Sequence, residues 1–149
     1  MKYIIILFAI LPIFSRCGMD YNCTNEIINT INKTVNVEIQ YDKDSVDSIR
    51  MRFGSTAESP SSYLNKQGSI SGRKFKIDTI SFSVIYHLNK NDTVTINKTI
   101  GGRLVEPDYS QIKKITLQMD STIQIFRKDQ LTSLFKKSEN ELLWIYKIQ

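Results

Sequence analysis

Three aspartates lie close together and are the residues best placed to do chemistry. Asp42, Asp44 and Asp47 occur within the stretch "YDKDSVD". Carboxylates in loops are the ligands that calcium takes, and a pair of carboxylates can run glycoside hydrolysis. The spacing matches no calcium loop, however, and lysine is nearby. A solvated, turn-like segment is the simpler interpretation, so we predict no metal site here.

Other catalytic groups are scarce. His87 is the only histidine, and Cys17 and Cys23 are the only cysteines. A nucleophilic triad needs an activated nucleophile beside a base, and a structural zinc site needs a cluster of cysteine and histidine. His87 falls on the Ser83 and Ile85 side of its predicted strand, opposite the expected core. We therefore predict no catalytic residue, no cofactor and no enzymatic activity.

Two further features favour structural roles. The pair Gly101-Gly102 lacks the lysine and the strand-loop-helix context of a phosphate loop, so it predicts a turn. Trp144 and Tyr146 lie on one face of a predicted final strand, where they are expected in the core. A sugar-stacking platform is the alternative if that face is open.

The N-terminus predicts an export signal. Lys2 precedes an apolar stretch over residues 3–14, which is too short to span a membrane comfortably and is interrupted by Pro12. The following "FSRCG", residues 14–18, predicts lipidation of Cys17 after removal of residues 1–16. Arg16 departs from the small residue preferred at that position. Ordinary signal cleavage before Gly18, which gives a secreted or periplasmic protein, is the alternative.

Composition favours a single β domain. The 149 residues are rich in Ser, Thr, Asn and Ile and poor in Ala. The formal net charge is +5, but the basic residues are scattered, which argues against a nucleic-acid partner.

Apolar and polar residues alternate with period two in eight segments, which predicts seven or eight strands. The segments are residues 34–41, 48–53, 74–77, 81–88, 93–97, 114–119, 122–126 and 142–148. Residues 129–137 could form one short helix or a bulged strand, "LNKND" a hairpin turn and "MDS" a tight turn.

Short strands at this spacing predict an all-β antiparallel sandwich, with a barrel as the alternative. The expected core consists of Val37, Ile39, Phe82, Val84, Tyr86, Leu117, Ile125 and Trp144.

The layout resembles that of a known protein class. The signal is followed by the polar segment "CGMDYNCTNE", an opening strand "INKTVNVEIQY" and a closing strand "LLWIYKI". This layout resembles small exported lipoproteins of Bacteroidota. The resemblance implies an immunoglobulin-like β-sandwich in the cell envelope, with an outer-membrane location favoured. It carries over no active site.

Aspartate followed by Ser or Thr, and then by an apolar residue or Thr, occurs five times. The pattern resembles the O-glycosylation motif of exported Bacteroidota proteins. The five acceptors would be Ser45, Ser48, Thr79, Thr93 and Ser121. The alternative is structural, because Asp-Ser and Asp-Thr also suit the step from a turn into a strand.

These observations divide the chain into a signal peptide (1–16), a lipidated cysteine with a tether (17–26) and a β-sandwich domain (27–149). The expected function is that of a non-catalytic, membrane-anchored envelope lipoprotein that binds a protein or glycan or supports an assembly, and the chain is expected to be a monomer. The alternatives are an inhibitor that acts through the 54–72 loop and a small carboxylate-dependent hydrolase.

Overall fold

The part of the chain that the structure describes folds into two β-sheets and three short helices. A computed structural model describes residues 21–52, 54, 58–68, 71–101, 106–139 and 142–149. In these residues the elements are β1 (Tyr21–Asn29), β2 (Val35–Tyr41), α1 (Lys43–Arg52), α2 (Pro60–Lys66), β3 (Arg73–Asp78), β4 (Ser83–Leu88), β5 (Thr93–Gly101), β6 (Ile112–Met119), β7 (Thr122–Arg127), α3 (Lys128–Leu134), β8 (Lys136–Lys137) and β9 (Leu143–Ile148).

The sheets form the sandwich-like architecture that the alternation predicts. One sheet has the strand order β5-β1-β9-β8 and the other β3-β4-β2-β6-β7. Pairing is antiparallel except between β1 and β9, which run parallel. In an immunoglobulin constant domain the two sheets hold strands 1-2-5-4 and 3-6-7. The agreement with the expectation is therefore at the level of an all-β sandwich.

The core lies between the sheets. β2 shows why: its residues alternate between buried and half-buried along the whole strand, as one-sided burial requires. Six of the predicted core residues are buried, namely Val37, Ile39, Phe82, Val84, Tyr86 and Leu117. Trp144 packs against this core but is only partly buried.

The predicted core position of Ile125 is wrong. The hairpin loop Asp120-Ser121 fixes the register of β7 on β6 and places Phe126 opposite buried Ile115. Because side chains alternate along a strand, Phe126 faces inward and Ile125 faces outward.

The alternation in residues 74–77 predicts Phe75 and Ile77 on one face, opposite Lys74 and Lys76; Ile77 does pack against the core, but the prediction is wrong for Phe75 and Lys74. A register shift between Lys74 and Lys76 interrupts the pairing of β3 with β4. Phe75 is the extra residue of this bulge and has no partner on β4, so it does not share the face of Ile77. Phe75 is consequently exposed, whereas Lys74 turns inward toward α2, where its Nζ donates to the carbonyl of Asn65 at 2.6 Å.

In place of the predicted strand over residues 48–53, residues 48–52 form the end of α1, and residue 53 lies outside the described residues. The aspartates that were expected in a turn also belong to this region: Asp42 precedes the helix, and Asp44 and Asp47 lie within it. Gly54, with φ of +65°, follows the helix and donates to the Met51 carbonyl at 3.1 Å. Glycine in this left-handed conformation is a common helix terminator.

The predicted tether and hairpin also need correction. β1 begins at Tyr21, so residues 21–26 belong to the sheet rather than to a tether. The "LNKND" segment joins β4 to β5, which lie in different sheets, so it is a corner between the layers. In the region expected to form a protruding loop, residues 60–66 form α2, which is held to the core by buried Leu64.

The possible helix near residues 129–137 is present over Lys128–Leu134 as α3, and β8 follows it. None of the helices in the described ranges has the length and apolar character needed to cross a bilayer.

Candidate functional site

A cleft of about 270 Å³ lies between α1 and α2 and is the candidate functional site. Of the residues that the structure describes, eight line it: Lys43, Asp47, Arg50, Met51, Glu58, Pro60, Tyr63 and Phe82. We refer to this feature as the α1–α2 cleft.

The first wall of the cleft is α1. Asp42 caps the helix, because its Oδ1 accepts a hydrogen bond from the Ser45 backbone N–H at 3.1 Å. This bond favours the charged carboxylate and lowers the pKa of Asp42. Val46 is buried and fixes the helix against the core.

Residues four apart in α1 share the face that lines the cleft. Lys43 and Asp47 form an ion pair at 3.4 Å on this face. Met51 follows one turn later and is 79% exposed at the lip of the cleft. A flexible methionine at such a position can adapt to differently shaped apolar groups.

The second wall is α2. The Ser59 hydroxyl accepts from the Ser62 backbone N–H, and Pro60 occupies the first helical turn, a standard way to begin a helix. Lys74 donates to the last carbonyls of α2. The helix is thus fixed at both ends, with the Tyr63 ring directed toward the cleft.

Glu58 joins the two walls electrostatically. Its Oε2 lies 2.6 Å from Arg50 Nη2 on α1, and its Oε1 lies 2.7 Å from Lys66 Nζ on α2. Ser62 also donates to this carboxylate. The hydrogen bond from Lys66, followed by that from Ser62, lowers the pKa of Glu58. The Arg50 and Glu58 side chains are each 18% exposed, so their pair is partly shielded from water.

Aromatic rings form the floor of the cleft. Tyr63 stacks on Phe82 with 5.4 Å between ring centroids, and Tyr41 meets Tyr63 edge-on at 5.5 Å. Arg50 Cζ lies 5.7 Å from the Tyr63 centroid, a cation–π contact. The Tyr63 hydroxyl donates to Gln111 Oε1 at 2.9 Å, and burial raises the pKa of Tyr63 to about 12.

Phe82 holds a strained backbone conformation at this floor. Its φ is +54°, in a region that bulky side chains rarely occupy. The preceding turn is fixed because Asp78 Oδ1 accepts from the backbone N–H groups of Ile80 and Ser81. Phe82 in turn accepts from the Tyr41 backbone N–H at 2.9 Å. Residues held in this way cluster at ligand-contacting sites.

The chemistry of the cleft suits binding. Its apolar floor can take an aliphatic or aromatic group, and the ion pairs around it present oriented charges. Glu58 is held as a carboxylate by cationic and hydroxyl donors, whereas an acid catalyst needs a raised pKa. The described residues contain no group of three side chains suited to hold a metal ion.

The three aspartates of the sequence analysis do not converge. Asp42 caps α1, Asp47 faces the α1–α2 cleft, and Asp44 is exposed beside a different, shallow surface depression. Of the three, only Asp47 borders the candidate site.

His87 lies where the sequence predicts, on the outer face of its sheet. It is half-buried, with Nδ1 2.8 Å from Asn36 Oδ1 and its ring 5.9 Å from that of Phe75. Trp144 and Tyr146 pack against the core, which favours their structural role over a sugar platform. Gly101 ends β5, and Gly102 lies outside the described residues.

The five candidate glycosylation residues lie in different settings. Ser48, Thr79 and Ser121 are exposed, whereas Ser45 and Thr93 are half-buried. Asp78 and Asp92 accept hydrogen bonds within their turns, as the structural alternative expects. Ser45 and Ser48 lie on α1, away from any turn into a strand.

The predicted lipidation site, Cys17, lies outside the described residues. Cys23 is a free, buried thiol in β1, and burial raises its pKa.

Sequence reasoning missed Arg50, Glu58 and Tyr63. A local signal for α2 was available, since Ser59 followed by Pro60 is a common helix start. No local sequence pattern indicates that α1 and α2 pack beside each other.

Comparison of the chain with protein-family models, curated proteins and solved structures found no match.

Proposed function

We propose that the chain is a non-catalytic, lipid-anchored envelope protein that binds its ligand in the α1–α2 cleft. The observation that carries the binding role is the floor of the cleft. There, Phe82 is held at a positive φ and stacks under Tyr63, and the Arg50–Glu58 pair lies above. Such a preorganised apolar surface with fixed charges is typical of binding sites.

The state of the carboxylates supports a non-catalytic role. Asp47 pairs with Lys43, and the Lys66 hydrogen bond lowers the pKa of Glu58. A carboxyl that loses its proton this readily is a poor general acid. An activity screen over glycans and peptides should therefore be negative. Activity that disappears in Glu58→Gln would contradict the proposal.

The anchor rests on the sequence "FSRCG". Metabolic labelling with a fatty acid should label the wild-type chain and not Cys17→Ala, and Cys17→Ala should move to the soluble fraction. An unlabelled wild type would mean that Arg16 prevents lipid attachment. The binding role could then still hold for a secreted protein.

The binding role is tested at the lip of the cleft. Met51→Glu places a charge at the opening, whereas Ile80→Glu makes the same change at a turn residue that is 99% exposed and does not line the cleft. Immobilised full-length variants would be exposed to a native envelope extract, and the retained molecules identified by mass spectrometry. We expect the wild type and Ile80→Glu to retain the same ligand and Met51→Glu to lose it. Equal retention by all three would contradict binding in the cleft.

A further inference from the structure

Three lysines line a pocket of about 430 Å³ at the β8 edge of the sheet that contains β1. Lys136 and Lys137 form β8, and Lys147 lies near the end of β9. Lys136 pairs with Ile145 of β9, and Lys147 follows Ile145 by two positions, so these three side chains share the outer face of the sheet. We refer to this feature as the β8 lysine pocket.

The pocket has a net positive charge. Ion pairs among the described residues use four other cations, namely Lys33, Lys43, Arg50 and Lys66. Glu26 lies in the same outer-face row as Lys136, but Ile145 stands between them. Gln149 also lines the pocket, and its terminal carboxylate belongs to none of those ion pairs. Three ammonium groups outnumber this one carboxylate, so the pocket suits an anionic ligand.

Apolar side chains lie between these charges. Leu134, at the end of α3, lines the pocket together with Ile145 and Tyr146, and all three are half-buried. A small inorganic anion would use only the ammonium groups. An anionic lipid headgroup also offers the boundary of an apolar phase, where tyrosine is enriched because one end of its side chain is apolar and the other polar.

The length of chain before β1 brings a membrane within reach of this pocket. Three residues separate Cys17, the proposed lipid attachment site, from Tyr21, where β1 begins. The four residue steps from Cys17 to Tyr21 span at most about 14 Å. β8 lies two strands from β1 in the same sheet, about 10 Å away. A lipid on Cys17 can therefore hold the β8 edge against the bilayer.

The opposite edge of this sheet, β5, is a poorer match to an anionic surface. Lys98 is the single cation among the nine residues of β5. α2 also lies beside this edge, since Tyr63 lines a common depression with Thr95 and Lys98. The charge is thus concentrated at the edge that lies away from α2.

We propose that the β8 lysine pocket binds anionic headgroups of the membrane that holds Cys17. The inference rests on the lipid anchor of the proposed function. The lipid retains the protein, and the lysines orient it, because basic side chains are attracted to an anionic bilayer surface. The β8 edge then lies on the bilayer. α2 is directed away from it, which leaves the α1–α2 cleft accessible to a ligand.

Fluorescence of vesicle-bound protein tests this orientation. Full-length, lipidated protein carries either Gln149→Cys, in the pocket, or Asn65→Cys, at an exposed position of α2. Each introduced cysteine is labelled with a dye whose emission rises when water is excluded. The protein is reconstituted into vesicles of phosphatidylcholine with or without anionic phosphatidylglycerol. Phosphatidylglycerol should raise the emission of the Gln149→Cys dye and leave that of the Asn65→Cys dye unchanged.

Two lysine triples with the same loss of charge serve as test and control in the Gln149→Cys background. The test triple, Lys136→Gln with Lys137→Gln and Lys147→Gln, should abolish the rise. The control triple removes three exposed lysines outside the pocket and should preserve the rise: Lys76→Gln, Lys90→Gln and Lys98→Gln.

The possible results separate this inference from the anchor on which it rests. If the chain carries a fatty-acid label but shows no rise with phosphatidylglycerol, or an equal rise in both lysine triples, headgroup binding is wrong and the anchor stands. A rise that inorganic phosphate reverses at constant ionic strength would assign the pocket to a free anion and overturn the membrane contact. A chain without a fatty-acid label would overturn the anchor and this orientation together, although ligand binding in the cleft could still hold.

Discussion

Asp42 and Asp44 are neighbours in sequence but differ in their roles. The Asp42 carboxylate caps α1, and the Asp44 side chain is exposed. We expect Asp42→Ala to lower the free energy of unfolding by about 1 kcal/mol, the usual cost of losing a helix cap. Asp44→Asn, the matched control, should change it by less than about 0.5 kcal/mol. Urea denaturation measures both, and an equal loss in the two variants would contradict the capping role.

Trp144 illustrates the difference between facing the core and being buried in it. Trp144 was predicted in the core, and truncation of a fully buried tryptophan to alanine costs about 3–5 kcal/mol. Because it is only partly buried, we now expect about 2 kcal/mol for Trp144→Ala. Phe135→Ala, at a fully buried aromatic ring, should reach the higher range. Thermal unfolding measures both variants. Equal losses of stability in Trp144→Ala and Phe135→Ala would contradict the partial burial of Trp144.

At the scale of elements, the end of α1 depends on one glycine. A Cβ at Gly54 would meet no neighbouring atom, but its φ of +65° disfavours any L side chain. Gly54→Ala should therefore destabilise the protein by about 1 kcal/mol. At Gly68 a Cβ also has open space, and φ lies outside the left-handed region. Gly68→Ala should be neutral or slightly stabilising. Chemical denaturation of both variants therefore measures how much of the loss in Gly54→Ala comes from the left-handed backbone conformation.

The elements also show what could be predicted from the sequence. Strands with one buried face, such as β2 and β6, were predicted because burial imposes their period-two pattern. α1 was missed because apolar residues at 49, 51 and 53 imitate a strand, although Asp42 and Gly54 mark its two ends. Whether Ile125 or Phe126 faces the core depends on the exact length of the β6–β7 loop, and the period-two alternation does not determine that length.

The α1–α2 cleft could not be predicted for a different reason. Arg50 and Glu58 lie eight positions apart, and their pairing requires both helices to pack on the core first. Phe82 reaches the floor from a third segment. Tertiary packing therefore creates this site, and local sequence patterns do not record it.

At the scale of the whole molecule, several carboxylates make the stability of the fold decrease at acid pH. Hydrogen bonds lower the pKa of Asp42, Glu58 and Asp78 in the folded state. The unfolded chain then binds more protons, so these groups stabilise the fold above their unfolded pKa of about 4. That contribution disappears as pH falls through the lower folded pKa values. Burial raises the pKa of Glu26 and opposes the trend.

We therefore expect the urea midpoint to fall between pH 6 and about pH 3. Glu58→Gln should reduce the fall, because glutamine has no proton to gain. An unchanged midpoint over this range would contradict the assigned pKa directions.

The parallel pairing of β1 with β9 has a consequence for the order of folding. Thr30 donates to the carbonyl of Ile148, 118 positions further along the chain, and β1 lies between β5 and β9 in its sheet. A ribosome must therefore release almost all of the described chain before this sheet can close. Contacts so distant in sequence make folding slow. Until β9 emerges, β1 has only β5 as a partner in its sheet, so one edge of β1 stays open throughout synthesis.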